Sequence, residues 1–220
     1  MFIIAASTLS CALLYWIEQG IGVSYPLKTA FKLLLLISVP IIYERFVKKE
    51  KAEILNFKNW RHTSVWPGLI FGVVFALVLL LAYFLVGPQI ELPRIAVELE
   101  NKLKINPANF LFVGLYITLG NSFIEEFFFR GFIFLTLLES GRPKTAYLLS
   151  SCLFAIYHVA IFRNWFSPPI FLLALFGLIV VGLLFSWMDA RHHNFVNSWI
   201  AHALADSVII IIGMHMFGMI

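Results

Sequence analysis

A chain of 220 residues that is 61% hydrophobic and 13% charged, with a mean hydropathy of +0.91, lies far from the soluble average of roughly 45–50% apolar and about 25% charged residues, which excludes an ordinary soluble globular domain. A net charge of +4 and a pI near 9.1 would suggest nucleic acid in a soluble protein, but here Lys and Arg gather beside apolar runs, where they set membrane orientation; nucleic-acid binding is not indicated. The expectation is a single integral membrane domain, 1–220, of the all-α class: a polytopic bundle of about seven transmembrane helices, within a range of about six to eight.

In chain order, the first apolar segment, 2–17, lacks a positively charged start and is expected to be a retained helix rather than a cleaved signal peptide. It contains Cys11, which like Cys152 has no metal-like spacing, so both are expected to be small buried residues. The second segment, 27–43, holds Lys32, close enough to an end to be expected to snorkel. The loop from Glu44 to His62 carries Arg45, Lys48, Lys49, Lys51, Lys58 and Arg61. A third segment, 65–87, leads to a stretch where Arg94, Lys102 and Lys104 alternate with Glu91, Glu98 and Glu100. The fourth, 108–138, is long for one crossing, and Gly120-Asn121 near its middle allows either one tilted helix or a short segment followed by a second.

Segments 145–162, 168–188 and 197–219 complete the set. If all seven cross, Arg142, Lys144 and Arg191 share the side of the basic Glu44–His62 loop. The positive-inside rule makes that side cytoplasmic, with the N-terminus inside and the C-terminus outside. No internal repeat is evident, which weakens an inverted-repeat transporter reading. His62, His192, His193 and His215 fall in loops or near a terminus and are expected to be structural. The abundant Phe and Trp read as lipid-facing packing and interfacial anchors.

An ionic group in the bilayer core costs roughly 2.5–3.5 kcal/mol even on the mild insertion scale, so it needs a partner or a job. Those well inside apolar runs are few: Glu125, Glu126 and Arg130 in the fourth segment, His158 in the fifth, His202 and Asp206 in the seventh. At about 1.5 Å per residue, Glu125 and Glu126 stand about 20 Å from Glu139, His158 about 21 Å from Lys144, and His202 and Asp206 about 16 and 22 Å from Arg191. All can share one layer, as one buried polar site requires. Within each helix, spacing of four puts Glu126 beside Arg130, Phe154 beside His158 and His202 beside Asp206, while Glu125 diverges from Glu126 by about 100° and is left to hold a water.

These residues also carry a resemblance. Glu125-Glu126-Phe127-Phe128-Phe129-Arg130 resembles the EExxxR motif, Phe154 to His158 the FxxxH motif, and His202 to Asp206 the third motif, HxxxN or HxxxD, of the CPBP family of membrane proteases, also called the Abi or type II CAAX protease family. The motifs occur in order within 105–220, and residues 1–100 are alike only in being hydrophobic. The type II CAAX enzymes resemble one another in having Asn at the third motif, where this chain has Asp206; a carboxylate there accepts rather than donates unless protonated.

The resemblance implies intramembrane hydrolysis of a peptide bond. The residues suit it: Glu125 as general base and His158 to hold and polarise the water, while the resemblance implies that His202, oriented by Asp206 or with Asp206 itself protonated, stabilises the oxyanion. Glu126 and Arg130 form the supporting pair. No cofactor is expected on this reading. A zinc-dependent version competes, since two His and two Glu are zinc-ligand types, although there is no HExxH. A proton-coupled transporter or channel, or a non-catalytic scaffold, are the alternatives of other classes. The expected partners are the lipid bilayer and a membrane-tethered protein or peptide, cut in C-terminal tail or sorting-signal processing or in peptide maturation. By resemblance, the location is a prokaryotic cytoplasmic membrane.

Overall fold

A computed structural model describes residues 1–21, 23–48, 60 and 63–220. Proline opens most of the helices, where its fixed φ suits the first turn and its missing N–H costs nothing. In order they are α1 (Phe2–Trp16, continued by a wider turn over Ile17–Ile21), α2 (Tyr25–Ile42, continued over Tyr43–Lys48), α3 (Trp66–Val86), the short α4 (Leu92–Glu98), α5 (residues 107–139), α6 (Pro143–Phe162), α7 (Pro168–His192) and α8 (Val196–Met216). No strand occurs among the described residues. Six of the described helices are long and apolar enough to cross a bilayer: Phe2–Ile21, Trp66–Gln89, Phe110–Glu139, Pro143–Phe162, Pro168–His192 and Val196–Met216. The expected 27–43 segment is helical as α2 but is not among these six. Of the expected basic loop, Lys49, Lys51, Lys58, Arg61 and His62 lie outside the described residues.

The ambiguity at Gly120-Asn121 resolves in favour of one continuous helix. Asn106 starts it with a capping box, its side chain accepting from the Ala108 amide at 3.0 Å while Asn109 accepts from the Asn106 amide at 2.9 Å. The helix widens to π-helical turns over Tyr116–Asn121 and Phe127–Leu135, and these flank the α-helical Ser122–Glu126. It ends in a Schellman turn: Gly141 at φ +73° lets its own amide reach the Leu138 carbonyl at 3.0 Å and the Arg142 amide reach Leu137 at 3.1 Å, and Pro143 begins α6 at once.

α5 is the axis of the molecule. Phe128, Phe129, Phe132, Ile133 and Phe134 are buried on it, and α1, α2, α6, α7 and α8 pack around it. Ser150 of α6 donates to the Phe129 carbonyl at 2.8 Å, which ties the two helices together at this level. α8 is pressed from the other side by α3 through Gly68 and Gly72. A methyl group at Gly68 would lie 2.8 Å from the Asn197 carbonyl oxygen, and one at Gly72 would lie 2.5 Å from Leu204 Cδ1, so only glycine lets the helices approach this closely. The opposite face of α3, with Val73, Leu77, Leu81 and Phe84, is exposed and meets acyl chains. Cys11 is buried, Cys152 half-buried, and both are free thiols.

Candidate active site

The two glutamates sit in the α-helical stretch between the π-helical turns of α5, both essentially inaccessible. Being neighbours on a helix they diverge, and each builds its own set of partners. Glu126 Oε1 accepts from Arg130 Nη1 at 3.1 Å and from His202 Nδ1 at 2.8 Å. The Arg130 guanidinium, itself 0% exposed, is flanked by the Phe154 ring at 4.1 Å and the Phe185 ring at 5.1 Å. The expected Glu126–Arg130 pair is thus present, and aromatic faces from α6 and α7 cover the cation.

Glu125 is held by one oxygen and offers the other. Its Oε1 accepts from Lys32 Nζ at 2.6 Å and from Asn121 Nδ2 at 2.9 Å. Its Oε2, buried, faces His158 Nε2 at 3.5 Å and His202 Nε2 at 3.8 Å. His158 is fixed from behind, because its Nδ1–H donates to the Phe154 carbonyl at 2.7 Å and its ring lies 4.4 Å from that of Phe154. His202 is fixed in the same manner by Glu126. In both imidazoles Nδ1 is occupied by an oxygen acceptor, so Nε2 is the atom presented to Glu125. Asp206 Oδ2 stands 3.7 Å from His202 Nε2, one turn along α8.

The predicted residues therefore converge: Glu125 and Glu126 with Arg130 from α5, His158 from α6, His202 and Asp206 from α8. Two expectations need correction. Lys32 does not snorkel; only 6% exposed, it turns inward to the Glu125 carboxylate, its ionic partner. Asp206 does not orient His202, since Glu126 takes the Nδ1 proton at 2.8 Å while Asp206 is beyond hydrogen-bond distance at 3.7 Å.

Two further residues escaped the sequence reading. Asn121 was noticed only as a break in the backbone pattern, although its spacing of four from Glu125 was the available signal. Asp189, fully buried at the end of α7, accepts from the Ser198 amide at 3.3 Å in the first turn of α8 and lies within electrostatic reach of Arg130. In the sequence it stands three residues from His192, at the end of an apolar run, with no pattern that singles it out.

Chemically, a carboxylate oxygen and two imidazole nitrogens aimed at one locus suit either a water that donates to some and accepts from another, or a cation. One atom each of Glu125, His158 and His202 lies within 4.8 Å of the others, and both imidazoles have the anchored Nδ1 typical of zinc ligands. The donor types fit a zinc ion, which these three residues would hold. The ammonium on Glu125 Oε1 works in the other direction, already supplying that carboxylate with a counter-charge.

Residues 107–208 match the family model described as "Type II CAAX prenyl endopeptidase Rce1-like". The match takes in Glu125, Glu126, Arg130, His158, His202 and Asp206 and leaves Lys32 outside it. No curated protein and no solved structure matches the chain.

Proposed function

We propose, for a chain whose residues 107–208 belong to the Rce1-like type II CAAX prenyl endopeptidase family and which is accordingly a multi-pass membrane endopeptidase, that it hydrolyses a peptide bond of a membrane-tethered protein or peptide inside the bilayer with a water activated by Glu125. The observation that carries this reading is the convergence of Glu125 Oε2 with the Nε2 atoms of His158 and His202 at 3.5 and 3.8 Å, gaps that a bridging water spans.

Glu125 Oε2 takes one proton of the water while His158 Nε2 accepts the other in a hydrogen bond. The water oxygen bonds to the scissile carbonyl carbon and the carbonyl pair moves onto oxygen. His202, as imidazolium with Nδ1–H on Glu126, donates from Nε2 to that oxyanion. Glu125 then returns the proton to the amide nitrogen, the C–N bond breaks, and an amine and a carboxylic acid leave. General acid–base work of this kind contributes about 10²–10⁴-fold, and one oxyanion donor about 10²–10³-fold.

A zinc-dependent reading is supported by the same three donors. A bound zinc would polarise the carbonyl and acidify the water, with Glu125, His158 and His202 as its holders. The test is cleavage of a membrane-tethered peptide library by purified protein in liposomes, with and without a strong zinc chelator, for wild type, Glu125→Gln and His202→Ala. The glutamate reading expects cleavage lost in both variants and indifferent to chelator. Loss with chelator and recovery with zinc would replace it by the metal reading. A folded wild type that cuts nothing, while the variants alter ion flux, would overturn both in favour of transport. The same library supplies the substrate preference, whether a C-terminal tail or an internal maturation site.

A further inference from the structure

Lys32 belongs to α2, outside the segment that matches the protease family, yet it touches the residue placed at the centre of the chemistry. Its ammonium donates to Glu125 Oε1 at 2.6 Å and to Asn121 Oδ1, and it lies 5.0 Å from the centre of the Tyr157 ring. Its side chain is 7% exposed. A surface lysine caught by chance does not fill its hydrogen-bonding capacity with a buried carboxylate, a half-buried amide and an aromatic face.

Each of the two glutamates has a basic side chain bound to it. Arg130 is bound to Glu126 within α5, and the cation on Glu125 comes from another helix. The terminal torsion of a glutamate is broad, so burial alone does not decide the tilt at which the carboxylate meets the imidazoles. Two donors on Oε1, Lys32 Nζ and Asn121 Nδ2, do decide it. We propose that Lys32 is a positioning residue of the active site, which together with Asn121 pins Oε1 of Glu125 so that Oε2 is aimed at His158 and His202. The inference rests on the endopeptidase reading above. It makes α2 part of the active site, so that the family-matched segment by itself lacks one of the groups that hold the general base.

The experiment uses the full chain in liposomes and a peptide that wild type cuts. Lys32→Met should lower kcat about 100-fold, the effect of a misplaced catalytic group, while KM stays within about threefold. Lys32→Arg, which keeps a cation of similar reach, should recover at least about a tenth of the wild-type kcat, and Asn121→Leu should lose about tenfold in kcat. Adding Lys32→Met to Glu125→Gln should cost nothing more, because a positioning group has no function once the base is gone.

Wild-type cleavage and its loss in Glu125→Gln report on the endopeptidase reading alone, so failure there is told apart from failure of the lysine variants. A Lys32→Met enzyme with kcat within about threefold of wild type, or one whose loss falls wholly on KM, would overturn the positioning role. If Lys32→Met does not fold, Lys32→Arg and Asn121→Leu decide: full kcat in Asn121→Leu would reduce Lys32 to a structural counter-charge, and a selective kcat loss would support the proposal.

Discussion

Replacing Arg130 by methionine keeps a long, unbranched apolar side chain between the Phe154 and Phe185 rings and removes the guanidinium. Glu126, 0% exposed, then loses its charge-assisted bond of 3.1 Å and retains only His202 at 2.8 Å. Stripping one member from a buried ion pair costs about 3–5 kcal/mol, and a desolvated cation–π contact adds about 2 kcal/mol, giving about 5–7 kcal/mol. That is a large share of a typical folding free energy of about 5–15 kcal/mol.

Glu126→Gln alone strands the cation and should cost a similar amount, but the double variant Arg130→Met/Glu126→Gln removes both members of the pair together. It should cost less than the sum of the two singles by about 3 kcal/mol. Unfolding in mild micelles by titration with a denaturing detergent, followed by tryptophan fluorescence, measures all corners of this cycle. Costs that add to within about 0.5 kcal/mol, or an Arg130→Met cost below about 1 kcal/mol, would refute the pairing argument. Cleavage should stay lost in the double variant, because the glutamine no longer offers His202 a carboxylate.

The contact of α3 with α8 predicts that Gly72→Leu, whose Cβ alone would come within 2.5 Å of Leu204 Cδ1 and 3.0 Å of Ala201 Cα, destabilises by at least about 1–3 kcal/mol and lowers cleavage by displacing His202. Gly177→Leu, where nothing lies within 4 Å of the added Cβ, should be neutral in the same melts. At the third motif, Asp206→Asn should keep cleavage within about tenfold of wild type and Asp206→Ala should lose more, because the amide keeps a polar group of the same size 3.7 Å from His202 Nε2 and alanine leaves none. Equal losses in the two variants, measured as kcat/KM, would mean that the position needs the carboxylate itself.

What the sequence made legible was whatever lies within one helix. Spacing of four joined Glu126 to Arg130 and Phe154 to His158, and depth arithmetic placed three helices' polar groups in one layer. What it concealed lies between helices. Lys32 is in an apolar run with water an equally plausible partner, and only the rotation of α2 against α5 brings it to Glu125. His202 has Asp206 one turn away on its own helix, and the shorter bond goes to Glu126 on another. Asp189 is a boundary residue by sequence, but the start of α8 folds over it. The π-helical turns around Ser122–Glu126 depend on which carbonyl each amide chooses, a matter on which Gly120-Asn121 is silent.

Arg130 has one more consequence. A guanidinium does not give up its proton in proteins. Along α5 it follows Glu125 and Glu126, with Asp189 within its field on the other side, and two aromatic rings clamp it in place. On its Asp189 side the cluster of carboxylates and imidazoles therefore meets a fixed positive charge that takes no part in proton hopping. On the proposed reading of hydrolysis inside the bilayer, that charge keeps the acid–base centre from doubling as a proton path.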